Sequence, residues 1–153
     1  MQKEYLTQLL KNHNIDPIHD RGQHFLLDDS VVDKMITAAK VIPTDTILEI
    51  GPGPGILTEK LLATGAQVVA VELDRKMCAL LRERFASHKN FTLVHGDILS
   101  TPLPEVLSSS FKIVANIPYN ITSAILQKFL SPSPHSWDPR PPSASLRGAR
   151  DDG

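Results

Sequence analysis

The chain has 153 residues, a formal net charge of −1, 22% charged residues and a single cysteine. That length allows one domain with a tail, and the charge balance excludes recognition of nucleic acid by a broad basic field; if a nucleic acid is the substrate, the basic surface must be local or must lie outside this chain. One cysteine, Cys78, excludes a disulfide framework and a cysteine-based zinc site.

No stretch is long and apolar enough to span a membrane, and the N-terminus lacks the charged-then-apolar pattern of a signal sequence. A cytoplasmic, soluble protein is expected, and no internal repeat is visible. Residues 2–14 read as a short helix with Tyr5, Leu6, Leu9 and Leu10 on one face. Asp16-Pro17 then breaks the pattern. Arg21-Gly22-Gln23-His24-Phe25-Leu26-Leu27 leads into the polar cap candidates Asp28, Asp29 and Ser30. Val31, Val32, Met35, Ile36 and Ala39 continue as a helix toward Pro43. Phe25 and Leu26 are apolar anchors that could hold Gln23 and His24 over a ligand. The plainer alternative is an arm packed on the core, and composition alone favours it. His24 has no second histidine or carboxylate at ligand spacing, so hydrogen bonding suits it better than metal binding, and no metal site is expected.

The apolar run Thr46-Ile47-Leu48-Glu49-Ile50 stops at Gly51-Pro52-Gly53-Pro54-Gly55, three glycines in five residues, and a helical pattern starts from Ile56. Strand, glycine turn and helix open a nucleotide-binding βα unit, where no Cβ can stand between backbone and ligand. The spacing G-x-G-x-G is neither the dinucleotide fingerprint nor a phosphate-cradling P-loop. It suits a ligand whose amino-acid portion lies against the turn, as S-adenosylmethionine does. A structural Gly/Pro turn is an equal alternative when this stretch is read alone.

The helix is predicted over 56–64, with Gly65 as its stop. Ala66-Gln67-Val68-Val69-Ala70-Val71-Glu72 reads as a strand buried on both faces of a parallel sheet. Glu72 ends it about 20 residues beyond the glycine turn, where Rossmann-type folds place an acid on ribose hydroxyls. Asp74 is the expected cap of a helix from Met77 to Phe85, with Cys78 half-buried on it. Phe91 to His95 is a third strand, ending in Gly96-Asp97. Asp97 either accepts from the amine of an adenine ring or makes a plain Gly-Asp turn.

The fourth strand, 111–115, runs into Asn116-Ile117-Pro118-Tyr119, and a helix is predicted from Ser123 with Ile125, Leu126 and Phe129 on its apolar face. An amine attacking a methyl sulfonium needs its lone pair aimed at carbon. The Asn116 side-chain oxygen and the Pro118 carbonyl can accept from that amine and orient it. Pro118 restrains Ile117 to an extended conformation, and Tyr119 offers a face for a planar base. An Asn-Pro turn with a packing tyrosine would be preferred in isolation, but not after the glycine turn, Glu72 and Asp97 in this order. From Ser131 the tail carries five of the twelve prolines and almost no aliphatic residues, so disorder is expected there.

Gly22-Gln23-His24-Phe25-Leu26, Glu49-Ile50-Gly51-Pro52-Gly53, Val71-Glu72, Gly96-Asp97 and Asn116-Ile117-Pro118-Tyr119 occur in the same order in ribosomal RNA adenine N6-dimethyltransferases. Over residues 15–130 the chain resembles the small-subunit, KsgA-type branch, and it is also similar to the erythromycin-resistance methylases. The resemblance implies an α/β, Rossmann-like methyltransferase fold, incomplete after four parallel strands. It also implies S-adenosylmethionine as cofactor, and N6 dimethylation of two adjacent adenosines in a hairpin loop of small-subunit ribosomal RNA during ribosome biogenesis. Such bases must leave their stack to be reached. Carried over residue by residue, Gln23, His24 and Leu26 line the cofactor pocket, and Gly51 and Gly53 back the methionine part. Glu72 holds the ribose and Asp97 the adenine. Asn116 touches cofactor and target amine, and Pro118 and Tyr119 present the base. Many members carry Asn where His24 stands.

Three segments are expected: a helical arm and lid over 1–45, a partial cofactor-binding domain over 46–130, and the tail over 131–153. The partner implied is the pre-ribosomal small subunit, met by a monomer with no membrane attachment. Family members are longer, adding strands and a small helical domain, so a truncated product is expected, for instance from a reading-frame shift after codon 130. Apolar strand patterns in another frame of the coding DNA would bear that out. Two further functions stand beside the first: another Asn-x-Pro-Tyr methyltransferase, acting on large-subunit RNA, DNA adenine or a protein amide, and an inactive fragment.

Overall fold

The computed structural model of the chain describes residues 3–15, 29–107, 110–117 and 119–130; of Lys3 and Tyr119 it describes the backbone alone. Among these residues, β1 (Thr46–Ile50), β2 (Gln67–Glu72), β3 (Phe91–His95) and β4 (Lys112–Ile113) form one sheet in the order β3-β2-β1-β4. Every pairing is parallel. The helices are α1 (Lys3–Asn12), α2 (Asp29–Ala39), α3 (Ile56–Ala63), α4 (Arg75–Arg84) and α5 (Tyr119–Leu130). None is long and apolar enough to cross a membrane.

The alternation of strand side chains separates two cores. Ile47 and Val68 face one side, packed with Leu6, Leu9, Leu57, Leu61 and Leu81 from three helices. Leu48, Ile50, Val69 and Val71 face the other, against Ile98, Leu107 and Ile125. A sheet covered on both faces requires apolar residues at successive positions, which explains the unbroken run in β2. The β1–β2 register runs from Thr46↔Gln67 to Ile50↔Val71, and β2–β3 from Val68↔Phe91 to Glu72↔His95. The C-terminal ends of β1, β2 and β3 are therefore level.

From β1 the chain steps to β2 and β3, then returns to pair β4 on the other side of β1. The reversal lies between β1 and β4, and a crevice outside the strand ends at such a reversal is where open α/β sheets take their ligands.

The four-stranded parallel sheet with helices agrees with the expected Rossmann-like fold class, and three local expectations need correction. The fourth strand pairs over two residues, Ile47↔Lys112 and Leu48↔Ile113, rather than five. It is held by β1 on one side, and no described strand pairs its outer edge. Helix α5 begins at Tyr119 instead of Ser123. A proline just before is compatible with a helix start, because the first turn has no use for its missing donor. Cys78 is fully buried rather than half-buried. Its Sγ lies 3.5 Å from the Glu72 carbonyl oxygen, and burial pushes the thiol up to about 11. A short 3₁₀ turn at Glu105–Leu107, not anticipated from the sequence, places the fully buried Leu107 in the second core.

The outer side of β4 is apolar and open among the described residues. Phe111, Ile113, Ile117, Ile125, Leu126 and Phe129 line a groove of about 610 Å³ there. Ile113 is 37% and Leu126 50% exposed.

Candidate functional site: a glycine turn and the acids around it

At the end of β1, the Gly51 N–H donates to the Val71 carbonyl at 2.9 Å and carries the ladder one step past the strand. The backbone then turns through Pro52-Gly53-Pro54, and the Gly55 N–H closes it onto the Pro52 carbonyl at 3.0 Å. Gly51 has φ +63° and is exposed, and a Cβ built there meets nothing within 4 Å. Left-handed backbone facing open space at Gly51 leaves room for a close approach to the turn. Gly55, with φ +84°, is the opposite case: a Cβ would lie 2.6 Å from the Phe85 ring and 2.9 Å from Leu81. It lets the turn sit directly on α4. Gly55 also caps α3 without a side-chain hydrogen bond.

Glu72 ends β2 beside this turn. Its Oε2 accepts from the Gly53 N–H at 3.1 Å and its Oε1 from the Asp74 N–H at 2.8 Å. The carboxyl is buried, and that desolvation raises its pKa against the lowering effect of backbone donors at Asp74, Gly53 and Leu73. A carboxylate has about four acceptor positions, so the group is fixed in place and retains capacity to accept from a hydroxyl. Asp74 caps α4 as expected, with Oδ1 accepting from the N–H groups of Lys76 at 2.7 Å and Met77 at 3.0 Å.

The Gly96 N–H donates to the Glu72 carbonyl at 2.9 Å, which sets Gly96-Asp97 next to the end of β2. Asp97 is exposed, and its Oδ1 accepts from the Leu99 N–H at 2.9 Å. The Gly-Asp turn read from the sequence is thus real, and the carboxylate still has acceptor capacity toward a ligand. Asn116 is exposed beyond β4, two residues past Val114, whose N–H donates to the Leu48 carbonyl at 3.1 Å. Hydrogen bonds from the Gly51, Gly53 and Gly96 N–H groups to Val71 and Glu72 thus tie the turn, Glu72 and Gly96-Asp97 into one rim, and Asn116 stands at the same end of the sheet. Gln23, His24, Leu26 and Pro118 lie outside the described residues, as does the whole tail, and Tyr119 is placed by its backbone alone, as the first residue of α5.

Three residues under the turn were not singled out by sequence reasoning. Glu49 is 1% exposed, inside an otherwise apolar strand. Its Oε2 accepts from Thr58 Oγ1 at 2.7 Å, while Oε1 has no partner among the described residues. Desolvation pushes its pKa up to about 8; the Thr58 hydrogen bond and Arg84 act in the lowering direction, and the neighbouring Glu72 acts in the raising one. Arg84 reaches the turn from the last turn of α4. A charged residue in a strand buried on both faces was the available signal for Glu49; Arg84 gave none.

A family model described as ribosomal RNA adenine dimethylase matches residues 18–145. The ribosomal RNA small subunit methyltransferase A of Dehalococcoides mccartyi is 45% identical over 125 residues, covering 80% of this chain and 43% of that protein. Among solved structures, the 23S rRNA methyltransferase ErmE superposes with a TM-score of 0.61 at 36% identity, over 68% of this chain and 41% of that one. A dimethyladenosine transferase from Plasmodium falciparum gives 0.58 at 35%, over 69% and 38%. The chain thus spans less than half the length of these relatives. The family match covers most of its residues, including the turn, Glu72, Asp97 and Asn116, and the chain belongs to the ribosomal RNA adenine dimethylase family.

Proposed function

We propose that the chain carries the cofactor-binding part of an S-adenosylmethionine-dependent dimethyltransferase acting on N6 of adenosines in small-subunit ribosomal RNA. The observation that carries the reading is the Glu72 carboxylate fixed to the Gly53 N–H beside the open backbone at Gly51. The names of its relatives supply the substrate class. S-adenosylmethionine, when bound, supplies a methyl group on a positively charged sulfur. Gly51 and Gly53 offer backbone to its amino-acid portion, Glu72 accepts from the ribose hydroxyls, and Asp97 accepts from the adenine amine. Gln23, His24 and Leu26 complete the pocket. Asn116 and the Pro118 carbonyl accept from the target amine and aim its lone pair, and Tyr119 stacks on the base, so catalysis is by positioning. The partner on this reading is the pre-ribosomal small subunit.

Calorimetric titration of the 153-residue chain with S-adenosylmethionine tests the cofactor reading; saturable micromolar binding is expected, and none would overturn it. Methyl incorporation into small-subunit RNA in preference to large-subunit RNA then tests the substrate. Glu72→Ala should weaken cofactor binding by about 1–3 kcal/mol, since charge-assisted hydrogen bonds are lost. Unchanged affinity removes Glu72 from the ribose role. In an active form, Asn116→Ala should lower turnover by about a hundredfold with little change in cofactor affinity, because only the orientation of the amine is lost. Equal rates would overturn the positioning role.

A further inference from the structure

Among the described residues, two side chains pin the glycine turn, and the second has no role in the scheme above. The first is the Gly53 N–H, held by Glu72. The second is the carbonyl of Pro54, which accepts a hydrogen bond from Arg84 Nη1. That carbonyl belongs to the same peptide plane as the Gly55 N–H, whose bond to the Pro52 carbonyl closes the turn. Since the peptide is planar, fixing its oxygen fixes its N–H. The guanidinium also donates through Nη2 to Glu59 Oε2 on α3 at 2.7 Å. One rigid fork thus spans α4, the turn and the helix that follows, a task suited to arginine's planar donor set. The Arg84 side chain is only 4% exposed. Below it, Phe85 and Leu81 press on Gly55 from the same helix.

We propose that Arg84 is a positioning residue for the ligand of this turn: by holding the Pro54–Gly55 peptide plane it sets the conformation of Gly51–Gly55, and so the affinity for an adenosyl amino acid. The inference rests on the cofactor reading above. Arg84 acts through the turn, by way of the Pro54 carbonyl. A purely structural Arg84 would lower stability and leave the affinity of the folded protein untouched.

The test is a titration of the 153-residue chain and its Arg84→Met, Arg84→Lys and Glu59→Gln variants with S-adenosylhomocysteine, each with a thermal melt and with amide exchange at Gly53 and Gly55. Arg84→Met should weaken binding by about tenfold and speed exchange at Gly55, as expected when a binding loop loses its preorganisation. Arg84→Lys keeps a cation without the fork and should fall between Met and the parent. Glu59→Gln removes the ion pair, spares the Pro54 contact, and should bind within about twofold of the parent. Parent-like affinity in a folded Arg84→Met overturns the inference. If Arg84→Met does not fold, Arg84→Lys decides: weaker binding at an unchanged melt supports positioning, and parent affinity overturns it. A parent chain that takes up no ligand overturns the cofactor reading itself, and this inference with it.

Discussion

Gly55→Ala is expected to destabilise the chain by about 3 kcal/mol, the sum of two costs. A left-handed φ of +84° is disfavoured for an L side chain by about 1–2 kcal/mol. The added methyl must also enter space already held by Phe85 and Leu81, at 2.6 and 2.9 Å. Overpacking of this kind costs about 1–3 kcal/mol. The Phe85 ring is poorly placed to give way, being buried in contact range of Phe91 with ring centroids 5.1 Å apart. Gly51→Ala is the matched control, with a similar φ and open space around the new methyl. It should cost only the backbone part of the stability while obstructing the approach to the turn. Chemical denaturation of both variants, alongside ligand titration of Gly51→Ala, checks the pair. Equal losses of stability would mean that Phe85 and Leu81 do not set the height of the turn.

The parent chain should lose stability as the pH rises from about 5 to 8, and Glu49→Gln should abolish most of that loss. Burial raises the Glu49 pKa from its ordinary value of 4.5 to about 8. Within that window the folded chain keeps a proton that the unfolded chain has released, so stability falls with rising pH. The groups that bear on Glu49 are Thr58, Glu72 and Arg84. Glu72, also raised, contributes in the same direction, and the difference between parent and Glu49→Gln isolates the Glu49 share. At pH 5 the two proteins should melt alike, since a neutral acid and an amide are near isosteres. At pH 8.5 the variant should be more stable by about 3 kcal/mol. Melting curves across this range check the sign. A parent whose stability is flat or rises between pH 5 and 8 would mean that Glu49 is ionised in the folded chain.

The architecture was legible because burial imposes patterns one can read locally. The run in β2 could be little else than a strand covered on both faces, and Asp74 announced the start of α4 through its own cap bonds. The level strand ends put Glu72 and Asp97 where their positions predicted. The extent of β4 was not legible, because the length of an edge strand depends on its neighbours. Nor was the start of α5, since helix propensity near a proline does not say which residue begins the turn. The cluster beneath the turn was hidden for another reason. Arg84 reaches Pro54 and Glu59 across 30 and 25 positions of sequence, and no local periodicity encodes such a bond.

The uneven pairing of β1 sets an order in which the chain can come together. Its partner β2 is the next strand in sequence and meets it over five residues, whereas β4 returns past two further strands to meet it over two. Units made of neighbours in sequence close quickly, and those that wait on a distant segment close late. The strands that carry the glycine turn, Glu72 and Asp97 can therefore pair before the segment bearing Asn116 docks against β1. The folding chain thus assembles the level ends of β1, β2 and β3 first and adds the Asn116 end of the sheet last.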